Sequence, residues 1–135
     1  MAEQLAEETH VKAIPLENNL RLHIYDASRR QAGDRWLVKL IARTHVKVDD
    51  AFSQNNPGIP SKSAVKELLG DNLVFEQNKI RRFIDEREKD RIFQSMLDDF
   101  LAHTVPYLSH PEFARRYVLK EFQVKQKQQT RQPAP

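Results

Sequence analysis

The chain contains no cysteine, and only three of its 135 residues are glycine. Without cysteine it can form neither disulfides nor thiolate nucleophiles, and cysteine-bound zinc and the usual iron–sulfur clusters are excluded. Gly33, Gly58 and Gly70 lie far apart, so there is no glycine-rich phosphate-binding loop, and no Gly-x-Ser-x-Gly motif is present. We therefore predict that the protein is not an enzyme and holds neither a metal nor another cofactor.

Long apolar runs are also missing. No stretch is long enough to cross a bilayer as a helix. Residues 1–8 are acidic and lack the basic start and apolar stretch of a secretory signal. On these grounds we expect a cytoplasmic protein that does not contact membranes.

The composition that is present suits a small globular protein. Hydrophobic residues make up 39% of the chain and charged residues 30%, and a chain of this length can bury a core unaided. We predict a flexible segment at residues 1–10 and a single domain at residues 11–122. Residues 123–135 are rich in glutamine with scattered cations, and we predict a disordered polar tail there.

Residues 35–48 alternate in character with a period of two, which is typical of a β-strand with one buried and one exposed side. The even positions are Trp36, Val38, Leu40, Ala42, Thr44, Val46 and Val48. The odd positions are Arg35, Leu37, Lys39, Ile41, Arg43, His45 and Lys47. We expect the even side to face the core and the odd side, which has cations and no acid, to face outward.

A second alternating segment, residues 20–25, precedes this strand and is separated from it by residues 28–34. The intervening segment contains Gly33 and several polar residues and is predicted to be a loop. Two strands joined by a short loop most simply form an antiparallel hairpin, here over residues 20–48. The alternation favours a register in which even residues lie opposite even residues.

The rest of the chain predicts one short edge strand, one further strand and three helices around a loop at residues 49–60. They are an edge strand at residues 11–16, a short helix at residues 61–69, a strand near residues 73–84, a long helix from Asp85 that ends at Pro106, and a helix from Ser109 to Phe122. Ser61 is the expected N-cap of the short helix, and Gly70 follows its end. The apolar residues of the long helix form one stripe: Ile92, Phe93, Met96, Leu97, Phe100 and Leu101. The order of these elements predicts an α+β fold: an antiparallel sheet with one short and two longer amphipathic helices packed on its apolar face.

The basic side of the hairpin is the first candidate site. The residues that we assign to it are Arg21, His23, Tyr25, Arg29, Arg30, Arg35, Lys39, Arg43, His45 and Lys47. Cations with an aromatic ring on a sheet can hold phosphates and stack a base. Outward cations on strands also discourage aggregation at sheet edges, which is the ordinary structural explanation. If the site binds a polyanion, charge reversal at Lys39 and Arg43 should abolish binding without unfolding the protein.

A second polar pair is less informative. Asp99 and His103 are four residues apart and share one side of the predicted helix, as two metal ligands would. No His-Glu-x-x-His motif accompanies them, and such pairs are common on solvated helix faces. We predict no metal site here.

The absence of enzyme motifs favours a function in binding. The leading hypothesis is a protein-interaction or regulatory module that uses the two C-terminal helices or the loop at residues 49–60, with a second copy of the chain as one possible partner. The alternative hypothesis is binding of nucleic acid or a nucleotide by the basic side of the hairpin.

Overall fold

The computed structural model describes residues 7–52 and 61–131 of the chain. That part contains an antiparallel sheet of five strands and three α-helices, so the predicted α+β fold is confirmed. The strands are β1 (Thr9–Pro15), β2 (Arg21–Asp26), β3 (Arg29–Ala32), β4 (Arg35–Lys47) and β5 (Asn72–Asp85). The helices are α1 (Lys62–Leu69), α2 (Lys89–Leu108) and α3 (Phe113–Arg131), and a short 3-10 helix follows β4 at Val48–Phe52.

The hairpin has the register that the alternation predicts. Leu22 lies opposite Thr44, and Ile24 lies opposite Ala42, so even residues pair with even residues. Because side chains on a strand alternate between its two sides, this register places Leu22 and Ile24 of β2 away from the arginines of β4. The predicted pairing of the two strands is therefore confirmed. The expectation that the odd side of β4 faces outward holds only in part, since Leu37 and Ile41 on that side are buried.

The predicted loop at residues 28–34 is wrong for most of its length. Strand β3 occupies Arg29–Ala32 and pairs with β4, which leaves only Gly33 and Asp34 as the turn. Gly33 has a φ of 57°, a left-handed conformation that glycine adopts without a steric penalty. A two-residue turn needs only this one permissive residue, so the polar residues before it remain available for strand pairing.

Between β2 and β3, the side chain of Ser28 continues the hydrogen bonding with β4. The amide of Ala27 donates to the carbonyl of Lys39 at 2.9 Å, and the amide of Lys39 donates to the Ser28 hydroxyl at 3.0 Å. Asp26 in turn accepts a bond from the Ser28 amide at 2.9 Å. Short polar side chains that are typical of loops thus replace main-chain hydrogen bonds here.

Strands β1, β3 and β5 each pair with a single strand of the described sheet: β1 with β2, and both β3 and β5 with β4. Strand β5 therefore has one edge without a neighbouring strand among the described residues. Strand β1 confirms the predicted edge strand and ends at Pro15. It begins at Thr9, so the last two residues of the predicted flexible segment 1–10 belong to the sheet. The pairing of His10 with Tyr25 supplies the interactions that the polar sequence itself did not indicate.

The chain divides into two compact units, of which the first comprises Met1–Thr44 and Phe75–Ser109. Its buried apolar residues from the hairpin include Leu22, Ile24, Val38, Leu40 and Ala42, and those from α2 include Phe93, Met96, Leu97 and Phe100. Four of the six residues of the stripe predicted on the long helix are therefore buried, and Ile92 and Leu101 are half-buried. The helix begins at Lys89 rather than at Asp85 and runs through Pro106 to Leu108. A proline this close to the end of a helix removes one hydrogen bond without displacing the final residues.

The second unit comprises His45–Val74 and His110–Pro135. Helix α1 begins and ends as predicted: the Ser61 hydroxyl accepts from the Ala64 amide, and Gly70 follows with a φ of 85°. Asp49 accepts hydrogen bonds from Lys66 and Lys62, which lower the pKa of its carboxyl to about 2. This carboxylate therefore ties the 3-10 helix to α1.

Helix α3 corrects the predicted tail, because it continues through residues 123–131. The prediction of disorder rested on the lack of apolar residues after Phe122, which is buried. Glutamine and lysine are good helix formers, and extending an existing helix costs far less than starting one. Residues 53–60 and 132–135, which held most of the predicted loop and the end of the predicted tail, lie outside the described part of the chain. The boundary between the units falls inside β4 and β5, so the single domain over residues 11–122 stays a prediction.

One hydroxyl in the first unit is buried without a hydrogen bond. Thr44 is fully buried, and its Oγ1 has no hydrogen-bond partner among the described residues. We expect Thr44→Val to raise the free energy of unfolding by about 1 kcal/mol, because the hydroxyl loses its bonds to water on folding. Urea denaturation measures this change, and Thr9→Val on the exposed β1 is the matched control. A Thr44→Val protein less stable than the wild type would contradict the prediction.

Candidate functional site

The structure brings three of the ten predicted residues together on the outward side of the hairpin. His23 lies opposite Arg43, and the Arg43 guanidinium lies 5.0 Å from the centre of the Tyr25 ring. His10 of β1 joins this cluster, with Nε2 within 3.1 Å of His23 Nδ1 and its ring against Tyr25. The residues Glu8 and Glu76, which the sequence did not link to this face, complete the surroundings of Arg43.

Arg43 is neutralised by these two carboxylates. Its two terminal nitrogens donate to the two oxygens of Glu8 at 2.7 Å each, and Nε donates to Glu76 at 2.6 Å. The hydrogen bonds from Arg43 lower the pKa of Glu8, with Lys39 adding a smaller electrostatic effect. The bonds from Glu8 and Glu76 in turn raise the pKa of Arg43. The central cation of the predicted anion site is therefore already occupied by acids of the same chain.

Arg30 lies on the opposite side of the hairpin from the predicted surface. It pairs with Trp36, and its guanidinium lies 5.4 Å from the centre of that ring. Lys89 lies 4.8 Å from the same ring. Glu86 accepts one hydrogen bond from Arg30 at 2.8 Å and one from the Trp36 indole at 3.0 Å. The assignment of Arg30 to the basic side followed from reading residues 28–34 as a loop, and the strand β3 overturns it.

The remaining predicted residues do not converge. Arg35 lies 3.5 Å from Asp85 and 3.7 Å from Asp34, so it is also paired with acids. Arg21 and Arg29 are exposed and Lys39 is half-buried, on β2, β3 and β4 respectively. His45 and Lys47 are exposed and belong to the second unit. The geometry thus leaves less free positive charge on the hairpin than the sequence suggests.

The outer strand β5 has the opposite character. All eight residues from 76 to 83 are exposed, including the apolar side chains of Ile80 and Phe83. Within the described residues, Lys79, Arg81 and Arg82 of this segment form no ion pair, whereas Arg30, Arg35 and Arg43 all do. A free strand edge with exposed apolar residues is a potential docking surface.

The main-chain groups of β5 point outward at every second residue. The carbonyl of Asp71, just before β5, accepts a hydrogen bond at 2.9 Å from the amide of Val48, just after β4, so it points towards β4. The carbonyl of Val74, three residues later, instead accepts a hydrogen bond from the Tyr117 hydroxyl at 3.1 Å. Main-chain groups in an antiparallel strand alternate between its two neighbours. The amide and carbonyl of Asn78 and Ile80 are therefore expected to point to the free edge.

A cavity of about 320 Å³ lies between β5 and α2. Its lining residues are Lys79, Ile80 and Arg81 from the strand and Met96, Asp99, Phe100, His103 and Thr104 from the helix. The three strand residues are consecutive, so the cavity borders a continuous piece of β5. The helix residues recur every three to four positions and share one face of α2. We call this feature the β5–α2 groove.

The groove combines an apolar floor with polar walls. Met96 and Phe100 are buried in the first unit and supply the apolar surface. His103 Nδ1 lies 2.8 Å from the carbonyl of Asp99, and because a carbonyl only accepts, Nδ1 carries the hydrogen. The Nε2 of His103 is thus the ring nitrogen left for a ligand. His103 therefore contacts the main-chain carbonyl of Asp99 rather than its carboxylate. Within residues 7–52 and 61–131, no three His, Asp or Glu side chains are grouped so that they could hold a metal ion.

Phe83 stands at the end of the same strand in a strained conformation. Its φ is 58°, in a region where a phenylalanine costs about 1–3 kcal/mol. Its amide donates to the side-chain oxygen of Gln31 at 2.8 Å, and its ring is 67% exposed. The chain thus holds a large aromatic side chain in solvent at a position that favours glycine.

Comparison of the chain with protein-family models, with curated proteins and with solved structures finds no match. The function must therefore be argued from the geometry. None of the described helices has the length and apolar character needed to span a membrane.

The sequence predicted a strand near residues 73–84 but not its place at the edge of the sheet. One signal was present: Lys79, Arg81 and Arg82 put cations on both sides of the strand. A strand that is charged on both sides cannot be buried on either, which is typical of an edge. The facing residues of α2 gave no comparable signal, because only the tertiary structure brings them beside β5.

Proposed function

We propose that this protein is an interaction module that binds an extended segment of another protein as an additional strand on β5. The observation that carries the proposal is the β5–α2 groove, which borders a strand with one edge unpaired within the described residues. Addition of a strand to a free sheet edge is a recurring mode of peptide recognition. The sequence favoured a protein-interaction module that used the two C-terminal helices or the loop at residues 49–60. The present proposal keeps the interaction module and the first of those helices, α2, but adds the edge of β5.

The groove offers both kinds of interaction that this mode requires. Outward main-chain groups at Asn78 and Ile80 would bind the added strand without regard to its sequence. Met96 and Phe100 provide an apolar floor, and side chains of an added strand alternate so that every second one faces it. The exposed ring of Phe83 would extend this apolar contact, since aromatic side chains often anchor interfaces.

The alternative, binding of nucleic acid or a nucleotide to the basic side of the hairpin, has weaker support. Its central residue Arg43 is bound by Glu8 and Glu76, and Arg35 lies beside Asp85. An incoming phosphate would have to displace these carboxylates before it gained the same interactions. We therefore base the proposed function on β5.

Replacing Ile80 with proline tests the proposal. The Ile80 amide is expected to point outward, so its loss would block strand addition while leaving the hydrogen bonds between β5 and β4 intact. Ile80→Thr is the matched control, because it changes the side chain and keeps the amide. The ligand is the tightest 12-residue peptide selected from a random library displayed on phage, with its affinity measured by fluorescence anisotropy.

We expect Ile80→Pro to weaken binding of the selected peptide at least about tenfold, since several main-chain hydrogen bonds depend on this edge. Ile80→Thr should bind within about threefold of the wild type, because the exposed side chain contributes little. Circular dichroism spectra must show that both variants retain the fold. Failure to select any peptide, or equal binding by the folded proline variant, would contradict strand addition.

A further inference from the structure

The part of β5 that borders the groove carries positive charge alone. Residues 77–84 contain Lys79, Arg81 and Arg82 and no acidic residue. All three cations are exposed, and none of them has a carboxylate within ion-pair distance among the described residues. Two acids near this segment are already paired, Glu76 with Arg43 and Glu86 with Arg30.

The alternation of the strand divides these cations between its two sides. Glu76 lies on the side of Arg43, whereas Phe75, one residue earlier, is buried. By the period of two, Lys79 and Arg81 lie on the side of Phe75, and Arg82 lies on the side of Glu76. Two cations two residues apart on one side would face two side chains, likewise two residues apart, of an added strand.

Charge disfavours one direct pairing of this edge with a second copy of the chain. In antiparallel pairing of two β5 strands centred on Ile80, Lys79 of one protomer would lie opposite Arg81 of its partner. Like charges directly opposite one another on neighbouring strands are destabilising. The charge that attracts an acidic segment therefore opposes self-association of β5 in this register.

We propose that the segment bound in the β5–α2 groove is acidic, with carboxylates at alternating positions opposite Lys79 and Arg81. This inference rests on the proposed function, because it assigns the chemistry of the partner to the same groove. Asp99 also lines the groove and offsets one of the two lining cations. The lining thus retains net positive charge, and Arg82 adds a further cation on the other side of the strand.

The test compares the selected 12-residue peptide with a version in which each Asp and Glu is changed to Asn or Gln. On the wild type we expect the acidic peptide to bind about tenfold more tightly, from two cross-strand charge pairs in low salt. On Lys79→Gln/Arg81→Gln this ratio should fall to about one. Arg21→Gln/Arg29→Gln, an equal loss of charge on exposed residues of β2 and β3, should keep the tenfold ratio.

Each other outcome is decisive. Selected peptides without an excess of acids, or a ratio unchanged by Lys79→Gln/Arg81→Gln, would overturn the acidic partner and leave strand addition standing. A ratio lost equally in the Arg21→Gln/Arg29→Gln control would also overturn it, because general charge would then explain the preference. A 20-residue oligothymidylate that bound more tightly than the peptide and depended on Lys79 and Arg81 would make the groove a nucleic-acid site. Failure to select any peptide would overturn the proposed function itself.

Discussion

Phe100→Ala is expected to lower the free energy of unfolding by about 3–5 kcal/mol, the cost of removing a large buried side chain that its neighbours cannot replace. Phe100 is only 3% exposed and belongs to the buried stripe of α2. It also lines the β5–α2 groove, so the space left by the ring would join an existing cavity. Such a site has little means of collapsing around the smaller side chain, which places the expected loss in the upper part of the range for core substitutions.

Urea denaturation of the two proteins measures this difference. His103→Ala is the matched control, because His103 lines the same groove but is exposed. An exposed substitution of this kind is expected to change stability by no more than about 0.5 kcal/mol. A loss below about 1 kcal/mol for Phe100→Ala would mean that the ring does not pack as the structure describes.

Arg43→Glu is expected to lower the free energy of unfolding by about 2 kcal/mol, through lost charge-assisted hydrogen bonds and new repulsion. The substitution would put a third carboxylate beside Glu8 and Glu76, both of which Arg43 binds. The Arg43 side chain is 24% exposed, so solvent weakens these interactions only in part. The rigid guanidinium also covers the Tyr25 ring, and that contact would be lost.

Arg21→Glu provides the control, since Arg21 is exposed on the neighbouring strand and forms no ion pair with a described residue. It makes the same change of charge and should alter stability by no more than about 0.5 kcal/mol. Equal stability of the two variants would contradict a structural role for Arg43. The same reasoning revises the test that the sequence suggests, because reversing the charge of Lys39 and Arg43 is expected to destabilise the protein.

Short-range patterns account for the parts of the fold that the sequence predicted. The period of two in residues 35–48 identified β4, and its alternation selected the register that places Leu22 opposite Thr44. Ser61 and Gly70 marked the ends of α1 because their hydrogen bonding and left-handed backbone act within one helical turn. These predictions hold in the folded protein because they depend only on residues that are neighbours in the chain.

Two incorrect predictions concern residues whose structure depends on contacts with distant parts of the chain. The sequence predicts a loop at Ser28, because no neighbouring residue indicates that the amide of Lys39 will donate a hydrogen bond to the Ser28 hydroxyl. The sequence predicts an unpaired cation at Arg43, because its partners Glu8 and Glu76 lie 35 and 33 residues away in the chain and leave no local signal. The prediction of disorder after Phe122 had a different cause. It rested on the lack of apolar residues and gave too little weight to the helix propensity of glutamine and lysine, which form the end of α3.

What the sequence by itself determined is the α+β class, the hairpin with its apolar side, and a chemistry without cysteine or glycine-rich loops. Only the tertiary structure decided which cations are paired with acids: it pairs Arg30, Arg35 and Arg43 of the hairpin, whereas Lys79, Arg81 and Arg82 of β5 form no ion pair with a described residue. The physical reason is that a charge is free or neutralised according to its neighbours in space, and a strand is an edge or a centre according to which strands pair with it. Neither property is contained in the local pattern of residues, and the proposed site depends on both.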